Sequence, residues 1–98
     1  MKNLITYFIS DPEAGVVKIG KSYNPERRLR QLQTGCARPL CLAMLLPIGL
    51  ERLGKCAPGG WNEKTLHVRF QKDRLEGEWF RLSPDIQNFI NQRIAEGA

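Results

Sequence analysis

Histidine and cysteine are scarce in this 98-residue chain, which has His67 alone and three cysteines, Cys36, Cys41 and Cys56. No two of the cysteines form a C-x-x-C pair, and one histidine is too few to complete most zinc sites. A thiol nucleophile has no better support, so the cysteines read as reduced thiols. Long apolar runs are missing too: no stretch approaches the roughly 18 residues of a membrane span. The run from Leu4 to Ile9 is apolar but stops at Asp11-Pro12, too soon for a signal peptide, and no small-residue cleavage site follows. The expectation is a soluble, cytoplasmic protein with no membrane partner. Internal repeats and low-complexity segments are also lacking, and the length suits one domain, 1–98, around a single modest core.

Charge is what the chain has in excess. Lys and Arg total 15 against 10 Asp and Glu, a formal charge of +5. Such a balance favours an anionic partner without specifying one.

Local patterns give the elements. Leu4 to Ile9 is rich in β-branched and aromatic residues and predicts a strand. Asp11-Pro12-Glu13-Ala14-Gly15 is a turn, and Val16 to Gly20 resumes β-forming residues, so an antiparallel hairpin is expected. Asn24-Pro25-Glu26 opens a helix by cap, rigid first position and helix dipole. Leu29 and Leu32 form its inward stripe, and Gly35 stops it. Leu40 to Pro47 predicts a third strand. Between Gly49 and Gly60 the signal blurs: 49–54 allows one helical turn and 57–60 reads as loop. A second helix is expected over about 62–72, with Glu63, Leu66, His67 and Phe70 on one face. Glu78-Trp79-Phe80 reads as a short extended piece after Gly77. Ser83-Pro84-Asp85 opens a last helix with Ile86, Phe89, Ile90 and Ile94 as its buried stripe. The fold class is therefore α+β, a small three-stranded antiparallel sheet flanked by helices.

Several polar residues hold unusual positions. Glu63 shares a face with Leu66 and Phe70; it is either a wet first-turn carboxylate or one that must be paired or bound to a cation. Arg28 lies on the shoulder of an apolar stripe, where its fork is able to meet a phosphate, although it also reads as one more charge on a basic helix. Tyr7 shares a strand face with Ile5 and Ile9, and becomes a proton acceptor only if neighbours such as Lys21 lower a pKa that starts near 10. His67, one turn beyond Glu63, has a spacing that allows a shared metal or a structural hydrogen bond. Trp61 and Trp79 are suited either to stacking on bases or to filling the core.

Taken in order, Tyr7-Phe8-Ile9, Val17-Lys18-Ile19-Gly20-Lys21, the run from Asn24 to Gly35, Glu63 to Phe70, and Gly77-Glu78-Trp79-Phe80 resemble the phage-associated branch of the GIY-YIG endonuclease superfamily. Ile5-Thr6-Tyr7 occupies the first motif and keeps its tyrosine but not its glycine. Lys18-Ile19-Gly20 occupies the second, with Lys18 where the usual tyrosine would stand. Leu32 falls where other members place a His or Tyr. The resemblance implies a GIY-YIG-like nuclease that hydrolyses DNA phosphodiesters with one Mg²⁺ or Mn²⁺ held by Glu63. It implies that Tyr7 takes a proton from the attacking water and that Arg28 holds the phosphate. Lys21 and Lys18 would lower the Tyr7 pKa and add phosphate contacts, and Arg27, Arg30, His67 and Arg74 complete the nucleic-acid-binding set. Without a separate DNA-reading module, sequence specificity is expected to be low or supplied by a homodimer. A phage or prophage origin in a bacterial cytoplasm follows from the same resemblance. Two other readings stand behind this one: a binding module that no longer cuts, and a phage-derived protein-interaction factor.

Overall fold

The computed structural model describes residues 5–46 and 63–97. The blurred stretch 49–60, Trp61, Cys56 and the first residue expected of the second helix lie outside them.

Strand β1 (Ile5–Asp11) turns into β2 (Val16–Ser22) through Pro12 to Gly15, and the two pair antiparallel from Ile5↔Ser22 to Asp11↔Val16. The hairpin is the expected one, closed by an Ala14 N–H donating to Asp11 Oδ1 at 3.2 Å. Helix α1 (Pro25–Thr34) begins as its sequence dictates. Asn24 Oδ1 accepts from the Arg27 N–H at 3.1 Å, with Pro25 in the first turn, a cap that contributes about 1 kcal/mol. Gly35 ends the helix at φ −94°, so the stop does not use the left-handed freedom of glycine. Gln33 organises the exit instead: its Nε2 donates to the Arg38 carbonyl at 2.8 Å, and its Oε1 accepts from the Leu40 N–H at 2.8 Å.

Strand β3 (Cys41–Leu46) pairs antiparallel with β1, with a bulge opposite Phe8 and Ile9. Helix α2 (Glu63–Arg69) and a 3₁₀ turn (Gln71–Asp73) cover the span of the expected second helix. Next come β4 (Arg74–Glu76), β5 (Trp79–Arg81) and helix α3 (Pro84–Gly97). At the start of α3, Ser83 Oγ accepts from the Ile86 N–H and donates to the buried Asp73 carboxylate at 2.8 Å.

The sheet has five strands in the order β3-β1-β2-β5-β4, not three. The α+β class stands, and the extra pair comes from the segment around Gly77, whose φ of +56° permits the tight turn between β4 and β5. Arg74-Leu75-Glu76 is exposed throughout, so it carries no buried stripe by which a strand is recognised in sequence.

Pleating divides the sheet into two faces. Phe8, Val17, Ile19, Met44 and Phe80 point to one side and form the core with Leu66, Phe70, Ile86, Phe89 and Ile90 of α2, α3 and the turn between them. Each such side chain stabilises by about 1.5–3 kcal/mol on burial. Phe70 meets Phe89 edge-on with ring centroids 5.4 Å apart. Ile94, expected in the buried stripe of α3, does not join this core; it is 46% exposed. The alternate residues Tyr7, Ile9, Lys18, Gly20 and Trp79 belong to the other face, against which α1 packs.

Candidate functional site

On the α1 side of the sheet, Tyr7 and Gly20 are cross-strand partners. Tyr7 is 1% exposed, yet it lies outside the main apolar cluster. It occupies the space that Gly20 leaves open: a Cβ there would sit 2.5 Å from the tyrosine hydroxyl and 2.9 Å from Glu78 Oε1. Tyr7 and Glu78 therefore converge on one point above the sheet. Glu78 was not among the residues singled out from sequence, because an acid next to a turn glycine looks like ordinary solvent-facing charge.

Arg28 reaches the same place from α1. Its backbone N–H is bonded into the first turn through the Asn24 carbonyl at 3.1 Å, and its guanidinium lies close enough to the Tyr7 hydroxyl to pull its pKa down. Glu63, from the opening of α2, is close enough to act on Tyr7 electrostatically. Helix arginine and helix glutamate thus both lie within electrostatic range of the strand tyrosine. Burial pushes the Tyr7 pKa above its ordinary value of 10; Arg28 pulls it down, while Glu78 and Glu63 push it up. The net direction corrects the expectation that Lys18 and Lys21 lower it. A phenol held up in this way is neutral at pH 7.

Lys18 is almost wholly buried and pairs with Glu78, Nζ to Oε1 3.2 Å, with its ammonium 5.4 Å from the Trp79 ring centroid. At this position the chain thus has a cation neutralised by a neighbouring acid. Lys21 is exposed and, three residues on from Lys18, projects from the opposite sheet face. Arg27 and Arg30 are exposed on α1. Arg74 is tied into the β4–β5 turn, Nε donating to the Gly77 carbonyl at 2.7 Å. His67 donates from Nε2 to the Ile19 carbonyl at 2.8 Å and rests on Phe80 at 5.0 Å between ring centroids. That is the structural hydrogen bond its spacing allowed, and it leaves only Nδ1 for a phosphate.

Glu63 is half-buried, and its Oε2 is sealed from solvent with no hydrogen-bond partner among the described residues. A buried charged oxygen left unpaired is costly, and a hard cation is the group that would compensate it. Among the described residues no cluster of three or more His, Cys, Asp or Glu side chains is placed to share an ion. One carboxylate would have to suffice, as it does for ions that keep several waters. Cys36 and Cys41 are free thiols, and no described helix is long and apolar enough to cross a membrane.

Residues 4–95, which carry all of this geometry, match the T5orf172 domain. The chain belongs to the T5orf172 family. Membership places it among phage-associated, nuclease-related or DNA-binding modules. The match runs from β1 into the last turns of α3, so the site lies wholly within the T5orf172 domain. Neither the curated proteins nor the solved structures offer a match.

Proposed function

We propose that this T5orf172 domain is a GIY-YIG-type endonuclease that hydrolyses DNA phosphodiester bonds with the help of one divalent cation. The observation that supports the reading is that Arg28 and Glu63, from two different helices, both act electrostatically on the buried Tyr7. These three residue types supply what phosphodiester hydrolysis needs: a fork for the phosphate, an oxygen ligand for a cation and a hydroxyl for the attacking water.

Glu63 would hold Mg²⁺ or Mn²⁺ through its unpaired oxygen. When bound, the ion supplies Lewis-acid stabilisation of charge on the phosphate and on the leaving 3′ oxygen. Arg28 donates to a non-bridging phosphate oxygen, where charge grows as water attacks phosphorus and the P–O3′ bond breaks. Tyr7, as the ionised phenolate, accepts a hydrogen bond from that water and takes its proton, directly or through the network, becoming the neutral phenol. Burial above all, then Glu78 and Glu63, holds the phenol neutral, so this role belongs to its ionised fraction and grows as pH rises. Lys18 reaches a phosphate only by loosening its pairing with Glu78. That pairing favours a second reading, in which the domain grips nucleic acid without cutting it.

A plasmid-nicking assay tests the proposal. Nicking should require Mg²⁺ or Mn²⁺ and disappear in Glu63→Ala and in Arg28→Ala. Cleavage that survives both substitutions refutes the mechanism; salt-sensitive DNA binding without cleavage under either metal supports the second reading.

A further inference from the structure

We infer that the cavity between α1 and the sheet accepts one unpaired nucleobase of the strand whose phosphate lies at the Arg28 site, an inference that rests on the nucleic-acid reading above. The cavity measures about 460 Å³, within the roughly 300–1,000 Å³ of small-ligand sites. Its apolar walls are Val16, Leu32, Leu40 and Trp79, and Gln31 and the Asp11–Arg38 ion pair add polar groups. A flat aromatic ligand with a hydrogen-bonding edge suits such a lining, and a base is that ligand on an anionic polymer.

Two contacts tie the cavity to the site. Trp79 lines it and also lies under the Lys18 ammonium at 5.4 Å from the ring centroid. Gln31 lines it and also accepts from Arg28 through its Oε1 at 3.4 Å. A nucleotide with its phosphate at Arg28 therefore has an aromatic wall within reach of its own base or of the next one. The base must be unstacked to enter, so the cavity would favour single strands, loops or extruded nucleotides over intact duplex. Net positive charge supplies the backbone attraction, and the cavity adds the base.

The test compares a labelled single-stranded oligodeoxynucleotide with an abasic oligomer of the same length and charge, bound in EDTA at low salt. One stacked base should make the first bind about tenfold tighter. Leu32→Trp and Leu40→Trp, each of which places an indole in the cavity and leaves Tyr7, Arg28 and Glu63 unsubstituted, should bring its affinity down to the abasic level. They should leave the abasic oligomer unaffected, with circular dichroism confirming that both variants are folded. Equal binding of the two oligomers to the wild-type chain overturns the base pocket alone. A base preference that persists in both variants does the same. Failure to bind either oligomer overturns the nucleic-acid reading and the pocket with it.

Discussion

Tyr7 and Gly20 face each other across β1 and β2 so closely that no side chain fits at position 20: an added methyl would lie 2.5 Å from the phenol oxygen and 2.7 Å from its ring carbon. The glycine is what allows a large, buried tyrosine to lay its hydroxyl beside Arg28. Gly20→Ala must displace the phenol or bend the sheet, and overpacking of this kind costs about 1–3 kcal/mol. For a domain of this size that is a fall of roughly 4–8 °C in melting temperature per kcal/mol. Combining it with Tyr7→Phe, which removes the clashing oxygen, should recover part of the loss. Thermal unfolding of the three variants checks this; an unaltered midpoint for Gly20→Ala would mean that the sheet yields freely.

The direction of the Tyr7 shift sets two pH dependences. Its folded pKa lies above the ordinary value of 10, so the neutral phenol is favoured by the fold. The stability this contributes is complete below pH 10 and is lost as pH rises through the higher folded value. In a Tyr23→Phe background, near-ultraviolet titration should show Tyr7 ionising late, and Tyr7→Phe should remove that part of the alkaline loss of stability. If the ionised phenol is the proton acceptor, nicking should still climb between pH 7 and pH 9. A plateau below pH 8 would assign the base elsewhere.

Much of this arrangement is legible in sequence because it rests on short-range physics. Asn24-Pro25-Glu26 fixes where α1 begins, and that start sets the turn on which Arg28 sits. The i, i+3, i+4 and i+7 spacing of Glu63, Leu66, His67 and Phe70 puts them on one helix face but leaves open whether the acid at its start is wet or buried. What sequence hides is non-local. The β4–β5 pair has no buried face on β4, so only its docking on β2 reveals it. Glu78 gains its meaning from Lys18 and Tyr7, which reach it through strand pairings distant in the chain. The cavity beside Trp79 is equally silent, because it arises from how α1 and the loop after it settle on the sheet.

Asp11 controls acid stability on the same sheet face. Burial alone would raise its pKa, but the Arg38 guanidinium at 2.8 Å and the Ala14 N–H at 3.2 Å outweigh it, and the carboxyl titrates below its ordinary 3.8. A depressed carboxyl contributes stability that is present above pH 3.8 and lost as pH falls through the folded value. Asp11→Asn should therefore destabilise the chain at pH 6 and flatten the acid limb of its stability profile. Denaturant midpoints measured from pH 6 to pH 2.5 decide the matter. A wild-type and a variant profile that run parallel through this range would show that another carboxylate is responsible.

Glu63 is the residue whose behaviour separates a cation site from a structural acid. A buried carboxylate oxygen without a partner among the described residues weakens the metal-free fold, since that oxygen has lost water and gained no hydrogen bond there. Glu63→Gln removes the charge at nearly constant volume, so the metal-free variant should melt above the metal-free wild type. Mn²⁺ should reverse the order. A cation that binds only the folded chain stabilises it by about 2.7 kcal/mol at a hundredfold excess over its dissociation constant, and the glutamine variant should show little of that rise. Scanning calorimetry of both chains with and without Mn²⁺ gives all four midpoints. Equal rises in the two chains would place the ion away from Glu63, and a variant less stable than wild type without metal would mean that the carboxylate holds the fold together.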